Sequence, residues 1–263
     1  MTNLQAPIGV FDSGVGGIST LRTLAQALPK ENFIFYGDSK NAPYGEKAAN
    51  TVIALSQQVV DELRKQQVKA IVIACNTATS AAKPALIAAN PDIPLLGIEP
   101  ALKEAVDAGK KHILVMATPL TLSQPKYLAQ RDRFSQQALI QSLPCPGLAD
   151  LIEGGAAQLP AIERLLASLL RPLSDQPIDA VVLGCTHYPF ITELIRQKFA
   201  PSTAFYTGYE GVANNLKATL AQAQLLRPES HQQQVRFMSS RNTVSELKLY
   251  QQLFDHGIEI AHG

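Results

Sequence analysis

The feature that most limits the folds open to this chain is a series of short, unbroken apolar runs, each stopped by a breaker. Ile8-Gly9-Val10-Phe11, Phe33-Ile34-Phe35-Tyr36, Ala70-Ile71-Val72-Ile73-Ala74 and Leu95-Leu96-Gly97-Ile98 lie in the first hundred residues. Ile113-Leu114-Val115-Met116 and Ala180-Val181-Val182-Leu183 follow later. They largely lack polar alternation, so they fit strands of parallel sheets covered on both faces. Between them apolar residues recur at helical steps, as at Val52, Leu55, Val59 and Leu63, and again at Ile162, Leu165, Leu166 and Leu169. Strands alternating with amphipathic helices predict an α/β fold built on parallel sheets. The tail adds a predicted helix over 212–225, a strand over 235–238 and a last helix over 244–254.

Length and composition narrow the setting. At about 150 residues per domain, 263 residues suggest two domains. A hydrophobic share of 46% against 17% charged supports a packed interior rather than disorder. The net charge of +1 gives no basic footprint, so no nucleic-acid partner is expected. No apolar run approaches the roughly 18 residues of a membrane span, and the polar start lacks a basic flank leading into a long apolar stretch. Neither membrane insertion nor secretion is expected. Three dispersed cysteines make no disulfide framework, which fits a reduced, cytoplasmic protein.

A weak internal repeat adds a constraint. The segment from Lys69 through Cys75-Asn76-Thr77 resembles the one from Asp179 through Cys185-Thr186-His187, 110 residues later. Ile8 through Asp12-Ser13 similarly resembles Ile113 through Ala117-Thr118, 105 residues later. Any two α/β strands share some likeness. Two matches in the same order at similar offsets point to two related halves, with a boundary after Ile98, at Glu99-Pro100. The stretch from Thr207 to Gly211 is the candidate return crossing. The expected domains are 1–98 with 210–263, and 99–209.

Ligands of open parallel sheets sit beyond the carboxyl ends of the strands. Cys75 and Cys185 both fall at such ends. Halves facing each other about an approximate two-fold axis would bring the two thiols to one small ligand from opposite sides. That arrangement suits inversion at a carbon bearing an acidic hydrogen, one sulfur removing the proton and the other returning one to the opposite face. Such a pair needs one thiolate and one thiol together, so it titrates as an interacting pair with a bell-shaped rate profile. A buried cysteine is often inert packing; matching polar contexts weigh against that here. The two stand without a Cys-x-x-Cys partner, so no metal site is expected. Cys145, between Pro144 and Pro146, reads as structural.

The neighbours extend the constellation. Asp12-Ser13-Gly14-Val15-Gly16-Gly17 follows the first strand, and its glycines allow a tight turn into the next helix. A dinucleotide loop would be Gly-x-Gly-x-x-Gly, and Asp12 would repel its phosphates; an ammonium ligand would favour Asp12. Gly37-Asp38-Ser39 and Pro43-Tyr44-Gly45 follow the second strand. Pro43 stiffens that loop and Gly45 can expose backbone N–H groups to a carboxylate, although an ordinary surface turn has the same composition. Asn76 and Thr77 beside Cys75, and Thr186 and His187 beside Cys185, supply amide, hydroxyl and imidazole groups. His187 can share a proton with Cys185 or be simply structural. Glu153 can orient His187 or sit solvated at a helix end.

Taken together in this order, the motifs Asp12-Ser13-Gly14-Val15-Gly16-Gly17, Gly37-Asp38-Ser39, Pro43-Tyr44-Gly45, Cys75-Asn76-Thr77-Ala78 and Gly184-Cys185-Thr186-His187-Tyr188-Pro189 resemble those of the bacterial glutamate racemases, within the cofactor-independent aspartate/glutamate racemases. The resemblance covers nearly the whole chain. It implies two flavodoxin-like parallel-sheet domains with the active site between them, no pyridoxal phosphate or other cofactor, and a homodimer. It implies interconversion of L- and D-glutamate, supplying D-glutamate for peptidoglycan. By the same resemblance Cys75 would deprotonate D-glutamate and Cys185 L-glutamate. Asp12 and His187 would assist them, with Glu153 behind His187. Asp12 and Ser13 would meet the ammonium, and Asn76, Thr77 and Thr186 the α-carboxylate. The Tyr44-Gly45 loop would hold the side-chain carboxylate, and Thr121 would add a further substrate contact. The segment Tyr206-Thr207-Gly208 departs from the pattern, which often has an acidic residue there. The chain also lacks the N-terminal extension of members controlled by a cell-wall precursor, so no such activator is expected. A related two-cysteine enzyme acting on aspartate or a hydantoin, and a non-enzymatic binding role, are the competing readings.

Overall fold

A computed structural model describes residues 4–174, 176–228 and 232–256. The first stretch runs β1 (Ile8–Asp12), α1 (Ile18–Ala27), β2 (Phe33–Gly37), α2 (Ala49–Lys65), β3 (Ala70–Ile73), α3 (Asn76–Ala89), β4 (Leu95–Gly97) and α4 (Leu102–Asp107). The second runs β5 (His112–Ala117), α5 (Pro119–Ser123), α6 (Pro125–Phe134), β6 (Leu139–Pro144), α7 (Leu148–Glu153), α8 (Leu159–Leu170), β7 (Ala180–Gly184), α9 (Thr192–Arg196) and β8 (Ala204–Tyr206). The tail adds α10 (Tyr209–Gln222), β9 (Val235–Ser239) and α11 (Val244–His256).

Two wholly parallel sheets result, one ordered β4-β3-β1-β2-β9 and the other β6-β5-β7-β8. Read from the β2 or β6 side, each sheet runs second, first, third, fourth strand of its half, the flavodoxin-like order. The repeat seen in the sequence is also a repeat of register. Ile8 lies opposite Ala70 in the first sheet, and their repeat equivalents Ile113 and Ala180 lie opposite each other in the second. The fold is therefore α/β with two parallel sheets of matching connectivity.

The fully buried strands β1, β3, β4 and β7 are all announced by their apolar runs. Strands β6 and β8 carry no such run, because as edge strands they are left exposed or only half-buried. β6, Leu-Ile-Gln-Ser-Leu-Pro, has no buried residue, and β8 is three half-buried residues long. Helix α2 buries Val52, Val59, Val60 and Leu63 along one stripe and ends in Arg64 and Lys65, where positive charge suits the helix C-terminus.

Helix α4, after the first crossing, packs on β5, β7 and β8. After β8 the chain returns, and α10 packs on α1 and β4. A buried ion pair secures this return. The Lys69 ammonium, wholly enclosed, lies 2.6 Å from Glu31 and donates to the carbonyls of Leu4 and Leu225 at 2.8 Å each. Such a charge is tolerable only with its hydrogen bonds satisfied, and Lys69 ties the end of α10 to the first sheet. One apolar cluster runs continuously from Val10 and Ile18 to Leu148, Ile152 and Tyr188, so packing joins the two halves. Among the described residues no helix is long and apolar enough to cross a membrane.

Candidate active site

The carboxyl ends of the two sheets carry loops that meet. Strand β1 ends in Asp12, β3 leads to Cys75, and β7 leads to Cys185 and His187. All four are nearly or fully enclosed: Asp12 is 0% exposed, Cys75 4%, Cys185 6% and His187 2%.

On the first-sheet side, Cys75 is the N-cap of α3. Its extended backbone starts the helix, and its sulfur accepts the N–H of Ala78 at 3.4 Å. Ser13 lies 3.7 Å from the same sulfur. Burial pushes the Cys75 thiol up to about 12, and the charges of Asp12 and then Cys185 push the same way, against the Ala78 and Ser13 hydrogen bonds. Asp12 accepts the N–H of Gly14 at 2.9 Å and the hydroxyl of Thr186 at 3.0 Å. Burial raises its carboxyl above the ordinary value, while His187 and these two hydrogen bonds pull back.

On the second-sheet side, the Cys185 sulfur lies 3.8 Å from His187 Nδ1, and His187 Nε2 lies 2.5 Å from Glu153 Oε2. Burial opposes the imidazolium, but Cys185 and Glu153 outweigh it and hold His187 well above 6.5. Burial also opposes the Glu153 carboxylate, and there the imidazole wins, lowering the carboxyl below its ordinary value. Glu153, at the end of α7, additionally accepts the N–H of Val15 at 3.3 Å. The loop after β1 can make this approach because it has no side chains at two points. A Cβ on Gly14 would fall 2.5 Å from Glu153, and one on Gly16 2.6 Å from the Thr186 hydroxyl.

Several of the remaining residues singled out in the sequence also meet across the two halves. Thr77, Thr118 and Thr121 form a triangle of hydroxyls, with Thr77 to Thr118 3.0 Å, Thr118 to Thr121 2.9 Å and Thr77 to Thr121 3.4 Å. Thr118 caps α5 by accepting the N–H of Thr121. Gly45 backs onto Thr118, and the neighbouring Glu46 accepts the N–H of Gly147 at 2.6 Å. Asn76 opens α3 and is buried; Pro43, after a cis peptide bond, is half-buried. Tyr44 is enclosed, and its phenol donates to Asp38 at 2.5 Å, so the hydroxyl is already committed within the protein. Cys145 is buried, its thiol 3.4 Å from the Leu143 carbonyl. Among the described residues no group of three or more His, Cys, Asp and Glu side chains gathers as a metal would require.

Two residues of this seam carry no role from the sequence alone. Asp38 lies inside a recognised motif, and its carboxylate accepts from Asn41 at 3.0 and 3.1 Å as well as from Tyr44. Thr118 ends the stretch that repeats Asp12-Ser13, and that equivalence was the available signal. The seam offers two thiols, one beside a carboxylate and one beside an imidazole, with hydroxyls, amides and backbone N–H groups around them. These are groups of the kind that can exchange protons and bind charged ligand groups.

Comparison with known proteins gives a consistent result. The model of the family described as Asp/Glu/Hydantoin racemase matches residues 8–209. A glutamate racemase of Clostridium botulinum is 43% identical over 250 residues, covering 95% of this chain and 97% of the relative. The crystal structure of glutamate racemase isoform RacE1 from Bacillus anthracis superposes with a TM-score of 0.85 at 29% identity, over 98% of this chain and 97% of that one. The structure of glutamate racemase from Francisella tularensis in complex with D-glutamate gives 0.81 at 29% identity, over 96% and 94%.

Proposed function

Since this chain belongs to the Asp/Glu/hydantoin racemase family, we propose that it interconverts L- and D-glutamate by proton transfer at Cys75 and Cys185. Relatives that are glutamate racemases over nearly the full length of both chains support the substrate, one of them with D-glutamate bound. The observation that carries the chemistry is the meeting of two cysteine-bearing strand ends, one from each sheet, each sulfur with its own ionisable neighbour.

The α-hydrogen of an amino acid is weakly acidic, and a site that removes it must hold base, substrate and donor in register. With L-glutamate, the Cys185 thiolate takes the α-proton and becomes a thiol. The electron pair is left on the α-carbon, delocalised toward the α-carboxylate. The Cys75 thiol then delivers its proton to the opposite face, and D-glutamate forms with Cys75 as thiolate. The D-to-L direction runs the same steps in reverse. His187, oriented by Glu153, assists Cys185, and Asp12 assists Cys75.

The substrate's ammonium meets Asp12 and Ser13, where a positive charge offsets the carboxylate that helps raise Cys75. The α-carboxylate meets Asn76, Thr77 and Thr186, with the α3 N-terminus behind it. Thr121 adds a hydroxyl. The side-chain carboxylate meets the backbone of Tyr44 and Gly45, stiffened by Pro43; the Tyr44 phenol is engaged with Asp38. Residues 1–98 with 210–263 act as one body and 99–209 as the other, substrate lying between them. The product serves peptidoglycan synthesis in the cytoplasm, and the working unit is a homodimer.

The test is racemisation of purified protein with glutamate and aspartate enantiomers, followed by circular dichroism with and without added pyridoxal phosphate. Glutamate turnover independent of the cofactor is expected. Turnover of aspartate and not glutamate would overturn the substrate assignment.

A further inference from the structure

Helix α11 begins beyond residue 209, where the family match ends, yet it reaches the loop beside the site. Tyr250 is its buried anchor, fully enclosed. Its ring stands edge-on to Phe35, with centroids 5.4 Å apart at 89°, and to Phe237 at 6.3 Å. Its hydroxyl lies 2.6 Å from the Ser39 hydroxyl. It also fills the space that a side chain at position 37 would need, since a Cβ on Gly37 would fall 2.1 Å from it.

From Ser39 the connection continues inward. Ser39 opens the short turn Ser39–Asn41, Asn41 donates to both oxygens of Asp38, and Asp38 accepts the Tyr44 phenol. Tyr44 in turn lies within reach of the charges of Cys75 and Asp12. The helix does not need the Tyr250 hydroxyl to stay docked. Arg22 donates to the carbonyls of Leu253 and Phe254, and Ser239 bonds Glu246.

We propose that Tyr250 is a positioning residue for glutamate. Through Ser39 it fixes the Asp38–Tyr44 turn in the form that offers the Tyr44-Gly45 backbone to the substrate's side-chain carboxylate. This inference rests on the functional reading above. It predicts a fault in substrate binding rather than in proton transfer, because the hydroxyl touches neither cysteine.

The experiment compares the full-length wild type with Tyr250→Phe, Ser39→Ala and the double variant. Each single change breaks the Tyr250–Ser39 hydrogen bond, and Tyr250→Phe also removes the phenol's interaction with Ser239, so KM for glutamate should rise about three- to tenfold. kcat should stay within about twofold, since a binding contact common to ground and transition state is lost. The double variant should be no worse than the more affected single variant, because both remove the same bond. Unchanged KM in the single variants overturns the proposal, as do effects that multiply in the double variant. A fall in Tm and in kcat with KM unchanged gives the hydroxyl a merely structural role and overturns it too. Wild-type protein inert toward glutamate would overturn the functional reading and this inference together, whereas an active wild type with indifferent variants defeats the inference alone.

Discussion

Cys75 caps the fourteen-residue helix α3, with an amide and a serine hydroxyl on its sulfur and the Asp12 carboxylate nearby, whereas Cys185 leads into the short turn Tyr188–Ile191 with an imidazole 3.8 Å away. The strands beneath them are equivalent in register. The repeat has kept the backbone and changed the ionisable partner. Burial and a neighbouring negative charge favour the neutral thiol at Cys75. Two similar halves thus give their sulfurs unlike neighbours, a carboxylate at one and an imidazole at the other.

The largest effects should come from removing either sulfur. Cys75→Ser and Cys185→Ser should each lower kcat on the order of 10²- to 10⁴-fold, the usual contribution of a positioned proton-transfer group. Wild-type turnover in either variant would break the pairing of the two sides.

Next come the partners, which sharpen the contrast. His187→Asn and Asp12→Asn should each cost about ten- to a hundredfold in kcat/KM, the range for losing a charged hydrogen-bonding group. Only Asp12→Asn should move Cys75 strongly. With Cys145 and Cys185 both replaced by serine, thiolate absorbance should show the Cys75 titration raised by burial and moving down when Asp12 is neutralised. An equal fall on His187→Asn would mean that the two sides are not distinct.

The smallest effect is on stability. Glu153 is lowered from 4.5, so its contribution is complete above that value and fades as pH falls through the folded-state value. His187 is raised above 6.5, so its contribution is complete below that value and fades as pH rises through the folded-state value. Glu153→Gln should therefore lower stability by about 2 kcal/mol between these values, with the deficit narrowing toward both acid and alkali. Thermal melts across pH measure it; a deficit independent of pH would detach Glu153 from His187.

Much of this molecule is legible in the sequence because the informative strands are buried on both faces. β1, β3 and β7 carry unbroken apolar runs, and the same strands deliver Asp12, Cys75 and Cys185. The edge strands β6 and β8 are not legible, since exposure removes the hydropathy signal. Pairs across the seam are partly legible. Glu153 with His187 is implied only by the family resemblance, and Thr186 with Asp12 and Glu46 with Gly147 depend on how the halves dock. Tyr250 is the extreme case, a residue over 200 positions from the serine it meets, in a helix that looks like an ordinary amphipathic tail.

The central claim is that two different sulfurs serve opposite faces of one carbon. The most direct test is wild-type racemisation of L-glutamate in deuterium oxide, stopped at early conversion and read by mass spectrometry of the separated enantiomers. The account predicts D-glutamate carrying deuterium at the α-carbon while the remaining L-glutamate stays unlabelled. D-glutamate that retains the original hydrogen, or L-glutamate labelled as fast as product forms, would mean that one group works both faces.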